Sequence, residues 1–279
     1  MDRRVRVRAF VRAYVDVVRI YAFLTQEAPT ARERWALIRF VFRTWAAELR
    51  LVPRRDEVIR FRGMDYVAAR KIELHALAEV HRDRYYSRHP DFWPTAGMTV
   101  IDVGANVGVF ALHSAAAGAQ VIAVEPNADA YRRLRAAVKA NGLEARIVTI
   151  NAAVGAEAGR GRMVVPRGQS VLGFVDTSSP RSGADHVVVI TLDDLIARRQ
   201  IERIDLLKID VEGAEYEVLR GSTRALRLVD RVIFEYHSKP LLAESLAALR
   251  AAGLLEVLRI EDTVEEGVGM LYAARSWPE

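Results

Sequence analysis

The 279-residue chain contains no cysteine, which excludes disulfides, thiolate metal sites and cysteine nucleophiles and lends no support to an oxidising destination. Long apolar runs are missing too. Arg12, Asp16 and Arg19 interrupt the first apolar stretch, so neither a signal-peptide core nor a membrane span is read from the sequence. A cytoplasmic protein is the expectation. Two phosphate-binding patterns are also absent. There is no Gly-Lys-Ser/Thr phosphate loop, and the one glycine turn that follows a strand-like run, Gly104-Ala-Asn-Val-Gly108, has Asn106 and Val109 where a dinucleotide fingerprint needs its second and third glycines.

What is present is a chain that is 51% apolar, enough for a sizeable core, with charge placed unevenly. Residues 1–62 hold fifteen arginines against seven acids, a net of +8; the whole chain is +5, so the remainder is −3. The basic character belongs to the N-terminal segment.

The organising stretch is Met98 to Phe110 followed by Val121-Ile-Ala-Val-Glu-Pro-Asn127. Thr99 to Val103 is a β-branched run that breaks at Gly104, and Val107 to Ala117 reads as a helix: a buried strand, a glycine turn and a helix start. Asp102 sits at the strand tip, where a carboxylate would repel a pyrophosphate but suit a ligand carrying an ammonium and a sulfonium. Glu125 ends the next strand and could accept hydrogen bonds from both hydroxyls of a ribose. S-adenosylmethionine satisfies both conditions. The cofactor set read from this stretch is Asp102, Gly104, Ala105, Asn106, Gly108, Glu125, Pro126 and Asn127, with Asn151 and Ala152 at the end of a third strand facing the adenine.

In chain order, Val7, Val11, Tyr14, Val18 and Tyr21 recur at helical spacing, and Trp35, Ile38, Phe42, Trp45 and Leu49 mark a second helix begun by the capping box Thr30-Ala-Arg-Glu33. This predicts a helical hairpin over residues 1–52. As a basic amphipathic pair it could touch an anionic membrane or an acidic partner; two tryptophans on one stripe favour instead a cap or dimerisation element with that stripe as core. Val58 to Val67 reads as a β-hairpin around Arg62-Gly63, and Lys71 to Tyr86 as a helix. Ala128 to Ala140 (helix), Ala145 to Ile150 (strand), Ile204 to Asp210 (strand) and Val232 to Tyr236 (strand) complete the alternation of a doubly wound parallel sheet, with Leu255 to Ile260 and Gly269 to Ala274 as two further strands. The fold class is therefore α/β, a mostly parallel seven-stranded sheet with an N-terminal helical extension, divided as 1–52 and 53–279 with a cofactor-binding core over 97–279. Between Gly155 and Ala184 a strand pair, Met163-Val-Val165 and Val171 to Val175, is inserted before the fourth core strand.

The chain resembles the FkbM-type S-adenosylmethionine-dependent methyltransferases. The likeness rests on Ile101-Asp-Val-Gly-Ala-Asn-Val-Gly108, Val124-Glu-Pro-Asn127, Thr191-Leu-Asp-Asp194, Leu207-Lys-Ile-Asp-Val-Glu-Gly-Ala-Glu215 and Leu219-Arg-Gly221, in that order over roughly residues 70–279. It implies O-methylation of a hydroxyl on a sugar, a glycan or a secondary-metabolite small molecule. His237, just beyond the fifth strand, is the first candidate for the base because imidazole titrates near neutrality. Asp210 could orient the acceptor, take its proton or touch the cofactor. Asp210, Glu212, Glu235 and His237 could alternatively hold Mg²⁺, which is not the favoured reading. Lys208, inside an apolar strand, needs a buried partner, Glu235 or Asp102. A nucleic-acid methyltransferase or a non-catalytic cofactor-binding scaffold are the competing functions; missing Asn/Asp-Pro-Pro-Tyr/Phe motifs argue against the first, and intact acids at both strand tips against the second. No nucleic-acid partner is expected, and homo-oligomerisation is left open.

Overall fold

The computed structural model describes residues 19–70, 73–164, 174–176, 186–262 and 267–275. The first predicted helix therefore lies largely outside the described residues, as do most of Val171 to Val175. The chain separates into two compact units that meet between Arg84 and Tyr85.

In the first unit, helix α1 (residues 19–27) is followed by α2 (Ala31–Glu48). The predicted capping box forms: the Thr30 hydroxyl accepts from the Glu33 amide at 3.2 Å while the Glu33 carboxylate accepts from the Thr30 amide at 3.1 Å. The hairpin is also present, with β1 (Glu57–Phe61) antiparallel to β2 (Met64–Ala68). Its two-residue turn places Arg62 and Gly63 at φ 48° and 80°, the left-handed pair that matches strand twist. Helix α3 (Glu73–His81) is shorter than the predicted 71–86. The Glu73 carboxylate accepts from the backbone amides of Ala69 and Arg70 at 2.7 and 3.0 Å, tying the helix to the end of the hairpin.

One expectation in this unit is reversed. The stripe of Trp35, Phe42, Trp45 and Leu49 is not core: Trp35 is 69% exposed, Phe42 66% and Leu49 71%. Helix α2 buries its opposite side, through Leu37, Phe40 and Thr44. The helix has two apolar faces, and spacing alone does not choose between them.

The second unit is built on a seven-stranded sheet. Its parallel strands include β3 (Thr99–Val103), β4 (Gln120–Val124) and β5 (Ile147–Ile150) on one side, and β10 (Leu206–Ile209) and β11 (Arg231–Tyr236) on the other. Then come β13 (Gly269–Ala274), antiparallel to both its neighbours, and β12 (Leu255–Glu261) at the edge. The order β12-β13-β11-β10-β3-β4-β5 confirms the doubly wound prediction. Crossover helices include α4 (Val109–Ala116) and α5 (Ala128–Ala140) after β3 and β4, and α8 (Lys239–Ala251) after β11. The core strands are buried on both faces, which is why they read as apolar runs, interrupted in β3 and β10 only by the paired Asp102 and Lys208.

The insertion is larger than the predicted pair. Strands β6 (Ala153–Val154), β7 (Gly159–Val164), β8 (Phe174–Asp176) and β9 (His186–Ile190) form a separate four-stranded sheet ordered β6-β9-β7-β8. Helix α6 (Leu192–Arg199) follows, capped by the Thr191 hydroxyl, which accepts from the Asp194 amide at 2.9 Å. Between the parallel neighbours β3 and β10 the order of winding reverses: β4 and β5 follow outward on one side of β3, β11 on the far side of β10. In open α/β sheets the crevice at the carboxyl ends of such strands receives the ligand.

Candidate active site

Two clusters of sequence-predicted residues gather at these strand ends. The first surrounds Glu125, just after β4. Its Oε2 accepts from the Asn106 amide at 2.8 Å and its Oε1 from the Asn127 amide at 2.7 Å. Asn106 can aim its amide inward because it adopts a left-handed φ of 49°, a conformation asparagine tolerates better than most side chains. Burial pushes the Glu125 carboxyl up to about 7, against the pull of those two amides. The Asn127 side chain caps α5, its oxygen accepting from the amides of Asp129 and Ala130. Asn151 ties the next strand end in, donating from Nδ2 to the carbonyls of Glu125 (2.8 Å) and Pro126 (3.1 Å). Ala152 beside it is buried.

The glycine turn is locked against its surroundings. The amides of Gly104 and Ala105 both donate to the Val124 carbonyl at 3.0 Å. Gly104 has φ 80°, and a Cβ there would stand 1.7 Å from the Asp210 carbonyl oxygen. At Gly108, φ 90°, a Cβ would meet Leu134 Cδ1 at 2.3 Å. At Gly104 no side chain fits, so the turn lies directly against the backbone that follows β10; at Gly108 the contact is the movable end of Leu134, and the left-handed φ is what favours glycine.

The second cluster follows β10 and β11. His237 Nδ1 is 2.8 Å from Glu215 Oε1, and its Nε2 is 3.4 Å from Glu212 Oε2 and 4.0 Å from Glu235 Oε1. Glu215 opens helix α7 (Glu215–Arg220), and Glu212 is brought in by a left-handed φ of 54°. Asp210, one strand over, accepts from the Tyr86 hydroxyl through Oδ2 at 2.9 Å, the same oxygen lying 3.5 Å from Lys208 Nζ.

Two sequence-based expectations change here. Burial alone would lower the His237 pKa, but the hydrogen bond and charge of Glu215, with Glu212 and Asp210, raise it to about 9. That shift favours the imidazolium at neutral pH, a form with no lone pair to receive a proton. Asp102, expected to face a ligand ammonium, is wholly buried beneath the turn against Lys208.

Three residues carry more than spacing suggests. Tyr86, which spacing places at the end of a helix, lies beyond α3 and donates its hydroxyl to Asp210. Lys208 is more than a paired cation, for it also donates to the Gly104 carbonyl at 2.9 Å. Glu215, which the sequence shows only as the last residue of the Leu207 to Glu215 stretch, makes the shortest contact to His237.

The site has the donors for an adenosyl ligand: Glu125 keeps a free lone pair on each oxygen for hydroxyl hydrogens, and the surrounding acids disfavour a pyrophosphate. A metal could be held by Asp210, Glu212 and His237, whose ligand atoms lie within 4.8 Å of one another, provided the imidazolium first gave up its proton.

Residues 102–254, more than half of the chain and both clusters, match the methyltransferase FkbM domain. The chain belongs to that family. Proteins similar to it include the AMB antimetabolite synthetase AmbE of Pseudomonas aeruginosa, 30% identical over 86% of this chain but only 12% of its own length, and the hexuronic acid methyltransferase AglP of Haloferax volcanii, 33% identical over 49% of this chain and 55% of its own. The 31-O-demethyl-FK506 methyltransferase FkbM of Streptomyces tacrolimicus is 32% identical over 64% of this chain and 80% of its own length. The chain thus spans about an eighth of the first relative and about half of the second. Membership of this FkbM family implies S-adenosylmethionine as the methyl donor.

Proposed function

We propose that the protein transfers a methyl group from S-adenosylmethionine to a hydroxyl oxygen of a sugar, a glycan or a secondary-metabolite small molecule. The observation that carries this reading is the second cluster: Asp210, Glu212 and Glu235 lie half-buried around His237 at the ends of two parallel strands, a group of hydrogen-bond acceptors suited to an acceptor rich in hydroxyls. The names of two relatives agree with it, one specifying hexuronic acid and the other methylation at an oxygen of FK506.

Glu125 and Asn151 would hold the adenosyl portion, Glu125 through the ribose hydroxyls, while the backbone of Gly104 to Gly108 lines the path of the amino-acid end. The donor supplies an electrophilic methyl group bound to a sulfonium. The chain's own task is to align the acceptor oxygen and relieve it of its proton, and alignment is the larger contribution. Asp210 does the second. Both of its contacts use Oδ2, so Oδ1 accepts the hydroxyl hydrogen and takes the proton as the oxygen begins to bond to carbon. Tyr86 and Lys208 fix the carboxylate's orientation. His237, as a cation, holds Glu212 and Glu215 in place and lowers the repulsion among the acids.

The test is methyl transfer from labelled S-adenosylmethionine to a panel of uronic acids, neutral sugars and macrocyclic alcohols, with Asp210→Asn beside the wild type. Removal of a general base should lower turnover by about 10²–10⁴-fold with donor affinity kept. Full turnover by Asp210→Asn on the preferred acceptor would overturn the assignment.

A further inference from the structure

The exposed face of helix α2 has no place in that reaction. Trp35, Ile38, Phe42, Trp45 and Leu49 follow one another in steps of three and four along one side, opposite the buried Leu37, Phe40 and Thr44, and the apolar surface continues into exposed Leu51 and Val52. Arg32, Arg39, Arg43 and Arg50 recur at helical intervals along one border of that stripe, and Arg54 and Arg55 follow. From 19 to 62 there are ten arginines against five acids. A contiguous apolar face of this size on a soluble unit marks an interaction surface.

We propose that this face docks on an anionic lipid surface, with Trp35, Phe42, Trp45 and Leu49 entering the headgroup boundary and Arg32, Arg50, Arg54 and Arg55 meeting lipid phosphates and carboxylates, while Arg43 is held 3.0 Å from Glu57. Charge chooses the occupant. A second copy would bring the same basic border against itself, whereas anionic headgroups complement it. The side chains fit as well, because tryptophan with arginine beside it is the composition that settles at a membrane interface. The helix lies on the surface rather than crossing it: no helix among the described residues is long and apolar enough to span a bilayer. The aliphatic stems of the arginines can lie along the apolar boundary while their guanidinium groups stay in water.

Flotation of the full chain with phosphatidylcholine vesicles, and with vesicles one third phosphatidylserine, tests this at low and high salt. Strong binding to the anionic vesicles, weak binding to the neutral ones and release by salt are expected. Trp35→Ser/Phe42→Ser/Leu49→Ser changes exposed positions only and should unfold at the wild-type temperature while partitioning at least about ten-fold more weakly. Arg32→Gln/Arg50→Gln/Arg54→Gln should cost about a hundred-fold on anionic vesicles and little on neutral ones. Equal flotation with both vesicle types, no flotation, or wild-type flotation by the serine variant would overturn the proposal. So would a dimer in sedimentation that the serine variant dissociates, because the face would then belong to a second copy. None of these readouts depends on methyl transfer.

Discussion

Lys208 Nζ stands 3.0 Å from Asp102 Oδ1, with the two side chains 4% and 0% exposed, on adjacent strands whose register pairs these residues directly. Neither Asp102 oxygen accepts a well-aligned hydrogen bond, so the ammonium is its one strong electrostatic partner among the described residues. Burial opposes both charges, and contact between them, with Asp210 adding to it, keeps the lysine cationic. The same ammonium bonds the Gly104 carbonyl and lies 5.1 Å from the centre of the Tyr86 ring. One cation thus connects the glycine turn of the first cluster to the acid of the second.

Removing half of that pair leaves a buried charge alone. Lys208→Met is expected to destabilise the protein by about 3–5 kcal/mol, and Lys208→Met/Asp102→Leu to recover most of the loss. Urea unfolding of the two variants checks this, and a double variant no better than the single one would show that the pair is not a closed unit.

Gly104 and Gly63 make a controlled comparison, since both have φ 80° but only Gly104 is crowded. Gly63→Ala, in open space, should cost only the strain of its conformation, about 1–3 kcal/mol. Gly104→Ala must displace the Asp210 backbone as well and should abolish donor binding. Calorimetric titration with S-adenosylhomocysteine distinguishes them. Donor binding by Gly104→Ala at wild-type affinity would mean the turn can move aside.

Tyr86→Phe removes the hydroxyl that donates to Asp210 and keeps the ring. A bond to a charged group contributes about 1.5–3 kcal/mol, so turnover should fall by roughly ten- to a hundred-fold. KM for the donor should hold, and an effect on the donor alone would move Tyr86 out of the acceptor site.

His237 gives a pH prediction. Its folded pKa, raised to about 9 chiefly by Glu215, exceeds the unfolded value near 6.5. The stability that the charged pair contributes is therefore complete below about pH 6.5, declines as pH rises, and is gone above about pH 9. The difference in urea midpoint between wild type and His237→Gln, followed across that range, should shrink in step. A difference that grew with pH would reverse the sign of the coupling.

Because His237 is already neutralising Glu212 and Glu215, chelation with EDTA is expected to leave turnover unchanged. Loss on chelation that Mg²⁺ or Mn²⁺ restores would make the cluster a metal site, with the cation lowering the hydroxyl pKa in place of a protein base.

The sequence by itself determined the sheet and its chemistry-bearing ends. Alternating apolar runs and glycine breaks can only be buried as parallel strands with crossover helices, so Asp210, Glu125 and His237 could be placed at strand ends from spacing alone. Local caps were legible for the same reason, as at Thr30 and Thr191, where the partners lie within one helical turn. Tertiary structure decided what depends on residues distant in sequence. Which side of α2 is buried is set by what packs on it, and period cannot say. Whether His237 is a base or a cation is set by Glu215, 22 positions away, and whether Asp102 meets a ligand is set by Lys208, more than 100 positions away. A side chain's charge state is a property of the field around it, and that field exists only once the strands have come together.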